Sequence, residues 1–121
     1  MKDPVLLLID IELHVEEKLR EFIGRNYKNY HILVPSSEED LDSLLPELSP
    51  ATLMICQLKS NNEMSNYLLT FFRRISSIML IGEGEEQREL AERAVHAGVE
   101  EVLPLDAEGR YLSLLPILIR K

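Results

Sequence analysis

The strongest limit on how this chain folds is a repeating alternation: five short apolar runs, each separated from the next by a segment with helical periodicity. Val5-Leu6-Leu7-Leu8-Ile9 has no polar residue at alternate positions, the pattern of a strand covered on both faces. Behind it Val15, Leu19, Phe22 and Ile23 recur at i, i+4, i+7 and i+8, which predicts a helix ending at Gly24. Residues 30–34 read as a second strand. Ser36-Ser37-Glu38-Glu39 reads as a capping box opening a short helix with Leu41, Leu44 and Leu45 inward, closed near Pro46. Residues 51–58 form the third strand, and Ser60-Asn61-Asn62-Glu63 is another capping pattern. The helix it opens carries Met64, Tyr67, Leu68, Phe71, Phe72 and Ile75 on one stripe. Residues 78–81 are the fourth strand, and Gly82-Glu83-Gly84 turns into a helix with Leu90, Ala91, Ala94 and Val95 inward and Gly98 as its cap. A fifth strand at 101–105 leads to an apolar helix at 111–119, which Pro116 must kink or restart.

Buried strands alternating with helices define an α/β fold, a parallel sheet with helices on both faces in a (βα)5 three-layer sandwich. Right-handed crossovers favour the flavodoxin-like strand order 2-1-3-4-5. The 121 residues suffice for one domain, 1–121, with one continuous core. In such a sheet, ligands and reacting groups gather beyond the carboxyl ends of the strands. The residues that follow strands 1, 3, 4 and 5 therefore carry the functional question.

Composition narrows the classes. No apolar run reaches the roughly 20 residues a membrane span requires, and the first run is too short for a signal-peptide core. A single cysteine, Cys56, excludes an internal disulfide and suits a reducing, cytoplasmic setting. The formal net charge is −8. Glutamates 83, 85, 86, 89, 92, 100 and 101 face only Arg88 and Arg93, an excess that repels a phosphate backbone and argues against direct nucleic-acid binding. That acidic stretch is either a solvated helix face or a docking surface for a basic partner.

Leu6-Leu7-Leu8-Ile9-Asp10-Ile11-Glu12 is similar to the first strand and acidic turn of response-regulator receiver domains. Ala94-Val95-His96-Ala97-Gly98-Val99-Glu100-Glu101-Val102-Leu103 resembles that family's small-residue approach to strand 5. The resemblance spans about residues 5–119. It implies phosphoryl transfer to an aspartate ending strand 3, with magnesium held by that aspartate and an acidic pair after strand 1. It further implies a lysine ending strand 5, a hydroxyl ending strand 4, and an aromatic switch residue on strand 5. Such chemistry needs a carboxylate nucleophile, clustered oxygens for a hard cation, and a cation against the developing charge.

Position by position those groups are absent. Asp10 matches the first acid, Ile11 stands at the second, and Glu12 follows one residue later. Gln57 stands at the acceptor position, and no Asp or Glu lies between Thr52 and Asn62. Ile81 replaces the hydroxyl, Leu105 the lysine and Val102 the aromatic switch. A neutral amide is not a usable nucleophile. The resemblance therefore implies a degenerate receiver without catalysis, cofactor or metal. Asp10 and Glu12 are left as a vestigial acidic turn, with Asp10 either capping the first helix or sharing weak divalent-cation binding.

Other chemistries are poorly served. The loop Gly82-Glu83-Gly84-Glu85-Glu86 lacks Walker A spacing and a lysine. Cys56 has no CxxC partner, and His14, His31 and His96 lack metal-site spacing. The last helix is apolar nearly all round. It is either fully buried or, as the resemblance implies for the helix 4–strand 5–helix 5 face, a pairing surface. Tyr111, Leu114, Leu115 and Leu118, with Glu89 and Arg93, are its candidate contacts for a homodimer or a protein partner. The expected function is thus a non-phosphorylatable signalling module of two-component or phosphorelay type. It would act by contact and be the N-terminal regulatory domain of a longer protein, a transcription regulator among the candidates. Its rivals are a flavodoxin-like small-ligand sensor, with a crevice around Asp10, Gln57, Gly82 and Asp106, and a scaffold subunit of a polarity or pilus assembly.

Overall fold

The computed structural model describes residues 4–27, 29–48, 52–58, 63–106 and 108–119, the side chain of residue 118 excepted. Strands β1 (Val5–Ile9), β2 (His31–Leu33), β3 (Leu53–Gln57), β4 (Ser76–Ile81) and β5 (Glu101–Pro104) pair in parallel in the order β2-β1-β3-β4-β5. They alternate with helices α1 (Leu13–Asn26), α2 (Glu38–Leu44), α3 (Glu63–Leu69), α4 (Glu85–Ala97) and α5 (Arg110–Ile119), a 3-10 turn at Leu45–Glu47 following α2. This is the expected flavodoxin-like arrangement.

The period-two geometry of a strand divides each apolar run between two cores. Leu6, Leu8, Leu53, Ile55, Ile78, Leu80 and Leu103 point one way, onto Val15, Leu19 and Ile23 of α1 and Tyr111 and Leu115 of α5. Leu7, Ile9, Met54, Cys56 and Met79 point the other way. They meet Leu41 of α2, Leu68 of α3, and Leu90 and Ala94 of α4. Each such fully buried Leu or Ile contributes about 1.5–3 kcal/mol of apolar transfer; the buried polar residues Ser77 and Gln57 stand near the ends of their strands. Ile9 pairs with Cys56, Gln57 with Leu80, and Ile81 with Pro104. The carboxyl ends of β1, β3, β4 and β5 consequently finish in one row. Pro104 fits because β5 is an edge strand, where a missing N–H costs no ladder bond.

Several local expectations are corrected by packing. Helix α1 runs through Gly24 to Asn26. An interior glycine costs only about 1 kcal/mol, and the last turn is held by the Tyr27 N–H donating to the Ile23 carbonyl (2.8 Å) and by Phe22, Tyr27 and Tyr30 packing ring on ring. In α2 the N-cap is Ser37, whose Oγ accepts from the Asp40 N–H. The reciprocal acid is Asp40, which takes the Ser36 N–H at 3.1 Å, and not Glu39. The Ser36 hydroxyl, which also donates to this carboxylate, and after it the Ser36 N–H hold the Asp40 carboxyl below its ordinary range.

Helix α3 ends at Leu69, so Phe71, Phe72 and Ile75 do not continue its stripe. The Thr70 Oγ1 donates to the Tyr67 carbonyl at 2.6 Å, and tighter i→i−3 bonds at Thr70 and Phe71 unwind the chain. Both phenylalanines still reach the core from the turn. The capping residues expected at 60–62 lie outside the described residues. In α4, Leu90 and Ala94 are buried while Val95 is 60% exposed. Gly98 takes φ +104°, receiving the helix end as a left-handed cap with the Val99 N–H on the Ala94 carbonyl. Helix α5 continues across Pro116 to Ile119 without a break. Among the described residues, no helix is long and apolar enough to cross a membrane.

Candidate functional site

The strand-end row opens into a cleft of about 440 Å³ lined by Glu12, His14, Val15, Lys18, Gln57, Gly82, Leu105, Asp106 and Tyr111. Of the crevice residues expected from sequence, Gln57, Gly82 and Asp106 line it and Asp10 does not. The reason is the backbone at Asp10, which adopts φ +56°, a left-handed turn that aspartate tolerates better than most residues. This turn drives Ile11 into the core between β1 and α1 and leaves Glu12 at the cleft. The residue in place of the second acid is thus a core residue.

Glu12, not Asp10, occupies the N-cap of α1, and it does so without a side-chain cap. Its carbonyl accepts from the Val15 and Glu16 N–H groups at 3.0 and 2.9 Å. Its own N–H donates to the Gln57 Oε1 at 3.1 Å across the sheet. Gln57 is only 4% exposed. Because a backbone N–H can only donate, its partner on Gln57 is the oxygen, and the Nε2 amide group is the end that remains for the cleft. No hydrogen bond engages Nε2 among the described residues.

The rest of the row is similarly tied down. Gln87 of α4 places its Oε1 on the Gly82 N–H (3.1 Å) and its Nε2 on the Leu58 carbonyl (2.8 Å), clamping the ends of β3 and β4 together. The Leu105 N–H donates to the Ile81 carbonyl at 2.8 Å, and Asp106 Oδ1 accepts from the Arg110 N–H at 2.8 Å, capping α5. Nothing in the sequence marks Gln87 for this role, since its spacing from both strands emerges only when the sheet closes. Replacing it by leucine should leave a buried carbonyl and N–H unpaired and cost about 1–3 kcal/mol, read as a lower urea midpoint. An unchanged midpoint would mean that water takes over both bonds.

The donor set does not fit magnesium. Asp10 does not line the cleft, Glu12 Oε2 lies 3.4 Å from His14 Nε2, and Gln57 supplies a neutral amide. Among the described residues no three His, Cys, Asp or Glu side chains converge on one point, whereas a hard cation needs several clustered oxygens. Beneath the row, Cys56 is fully buried, and burial together with the nearby Asp10 carboxylate pushes its thiol far above the ordinary value.

The expected contact residues separate sharply. Tyr111 and Leu115 are 3% and 0% exposed and belong to the core against α1, so neither is available to a partner. Leu114 is 42% and Ile117 64% exposed on the opposite side of α5. The Leu118 side chain lies outside the described residues. Glu89 is exposed on α4, and Arg93 reaches across to Asn66 Oδ1 of α3 at 2.7 Å. Val102, the residue at the aromatic switch position, borders a shallow groove of about 280 Å³ with Arg88, Ala91, Glu92, Val95 and His96. Ile81 is half-buried at the end of β4, opposite Pro104.

No protein family matches the sequence, and no curated protein does. Solved structures do. The crystal structure of FixJ-N is 17% identical with a TM-score of 0.72, over 99% of this chain and 96% of that one. Full-length FixJ from B. japonicum has the same TM-score at 14% identity, and this chain spans 59% of its length. A putative response regulator from Chloroflexus aurantiacus J-10-fl is 21% identical, with a TM-score of 0.68 over 98% of both chains. The structure of this chain is therefore the fold of response-regulator receiver domains.

Proposed function

We infer that this chain is a receiver-type signal-transduction module that accepts no phosphoryl group and works by protein contact. The observation that carries the reading is Gln57, a neutral, buried amide at the carboxyl end of β3 whose oxygen is already bonded to the Glu12 N–H. Its two neighbours in the row, Gly82 and Leu105, offer neither hydroxyl nor ammonium to a phosphoryl oxygen. The fully buried thiol of Cys56 fits a reducing cytoplasm.

Without phosphorylation, a two-state module can be biased only by something that binds its two states differently. The face formed by α4, β5 and α5 suits that role. Val95 of α4 is exposed and lines the groove that Val102 borders, and Leu114 and Ile117 of α5 are exposed as well. In this reading the chain is the regulatory part of a longer signalling protein, a transcription regulator being among the candidate outputs.

Incubation with acetyl phosphate and magnesium, followed by intact-mass measurement, tests the reading. The expected spectrum contains no phosphoryl adduct, and beryllofluoride should leave the backbone amide NMR spectrum unchanged. A covalent adduct would overturn the proposal.

A further inference from the structure

The sheet has two edges, and they are finished differently. At β5 the Leu105 N–H bonds inward to the Ile81 carbonyl, so the Pro104 backbone faces outward, and proline has no N–H to offer there. The edge at β2 carries no such block. The His31 N–H bonds inward to the Pro4 carbonyl at 3.0 Å, and strand alternation turns the N–H and C=O of Ile32 outward. The N–H of Val34 is unbonded among the described residues, and its side chain is 39% exposed. Strand β2 itself contains neither proline nor lysine, residues that commonly shield an edge.

Apolar cover runs out at the same place. Ile32 is half-buried toward the α1 side of the sheet and Leu33 toward the α2 side. Beside them a groove of about 290 Å³ opens between β2 and α2, lined by Leu33, Val34, Pro35, Asp40, Ser43 and Leu44. A strand laid along β2 would exchange hydrogen bonds with Ile32, accept from the Val34 N–H, and set alternate side chains over this groove.

The charge on the groove wall says which strand fits. Four of the seven residues of α2 are acids, Glu38, Glu39, Asp40 and Asp42, and none is basic. Asp40 and Asp42 accept from Ser36 and from the Tyr67 hydroxyl, uncharged donors that leave the negative charge in place. A second copy of this chain is disfavoured. Antiparallel pairing of two β2 edges about a two-fold axis would set the two acidic α2 helices side by side. A basic segment gains from the same field.

We propose that the β2 edge and its groove dock an extended, lysine- or arginine-bearing segment of a partner protein, which joins the sheet as a sixth strand. The open stretch is short, so the contact belongs to the weak, reversible class suited to signalling. It lies at the sheet edge remote from β5, and it holds or fails independently of the α4–β5–α5 face and of the phosphorylation result.

The test selects a phage-displayed library of random peptides, about twelve residues long, on the whole chain. Enriched peptides should carry Lys or Arg beside apolar residues at alternate positions. Titrated as synthetic peptides, they should give saturable NMR shifts at the Ile32 and Val34 amides and at Leu44. N-methylation of alternate peptide nitrogens should abolish binding in one phase and spare it in the other, since only one edge of an added strand faces β2. Glu38→Lys combined with Glu39→Lys should weaken binding about tenfold, and Val34→Lys, an exposed change, by a similar factor. The proposal is overturned if no peptide is enriched, if enriched peptides are acidic or shift residues remote from β2, or if both N-methylated phases bind like the parent peptide. Unchanged binding by the charge-reversed variant overturns it as well. A dimer in ultracentrifugation that Val34→Lys dissolves would assign the edge to a second copy and would equally overturn it.

Discussion

Leu115→Ala should lower the unfolding free energy by about 3 kcal/mol and the melting temperature by roughly 12 °C, without altering any surface the protein presents. Leu115 is fully buried against α1 and the β-sheet, so its removal forfeits apolar transfer and opens a cavity between two elements that cannot both close on it. Ile117→Asp, two residues on, is the informative contrast. Ile117 is 64% exposed, and its substitution should leave stability within about 0.5 kcal/mol. If α5 and α4 form a contact face, Ile117→Asp and Val95→Asp should weaken association measured by analytical ultracentrifugation or partner pull-down. Leu115→Ala should act there only through unfolding. A Leu115→Ala protein as stable as the parent would mean that α5 is not docked as described.

Cys56 gives a second large effect. Its thiol is fully buried in β3, and burial is the first reason, the Asp10 carboxylate the second, that its pKa stands far above normal. Only a thiolate reacts with iodoacetamide, so labelling must pass through an opened state. For a domain of ordinary stability the rate should fall at least about a thousandfold below that in urea. The sign of the pH dependence follows. The folded pKa lies above the unfolded one, so the stability of the neutral thiol is fully present below about pH 8.5 and is lost as pH rises above it, by about 1.4 kcal/mol per pH unit. Comparing urea midpoints of the parent and Cys56→Ala across pH 8 to 10 isolates this slope. Parallel curves, or labelling as fast in buffer as in urea, would place the thiol at the surface.

Burial also explains which sequence expectations about α5 failed. Tyr111 and Leu115 looked like members of an all-round apolar helix available for pairing. A helix docked on a sheet must turn some side of itself inward, and the phase of that rotation is set by α1 and β-strand side chains that are remote in sequence. Leu114 and Ile117 were left outward by the same rotation. In α4, Val95 fell outside for the same reason, while Ala94 and Leu90 went in.

What the amino-acid sequence determined by itself was the architecture and the inventory of the strand ends. Five apolar runs with period-two burial, separated by helical segments, admit few arrangements besides a two-faced parallel sheet, because both faces of every strand must be covered. The identity of Gln57, Ile81 and Leu105 at the ends of β3, β4 and β5 was legible too, since strand ends follow from strand lengths. Tertiary structure decided what those ends do. It put Asp10 in the left-handed region, kept it out of the cleft lining, and sent Ile11 into the core. It bonded the Gln57 oxygen to Glu12 across 45 residues of chain, stretched Gln87 between β3 and β4, and set the core residue Tyr111 along the same cavity as Lys18. Hydrogen bonds between groups so distant in sequence depend on strand register and helix rotation together, and neither is a property of any single segment.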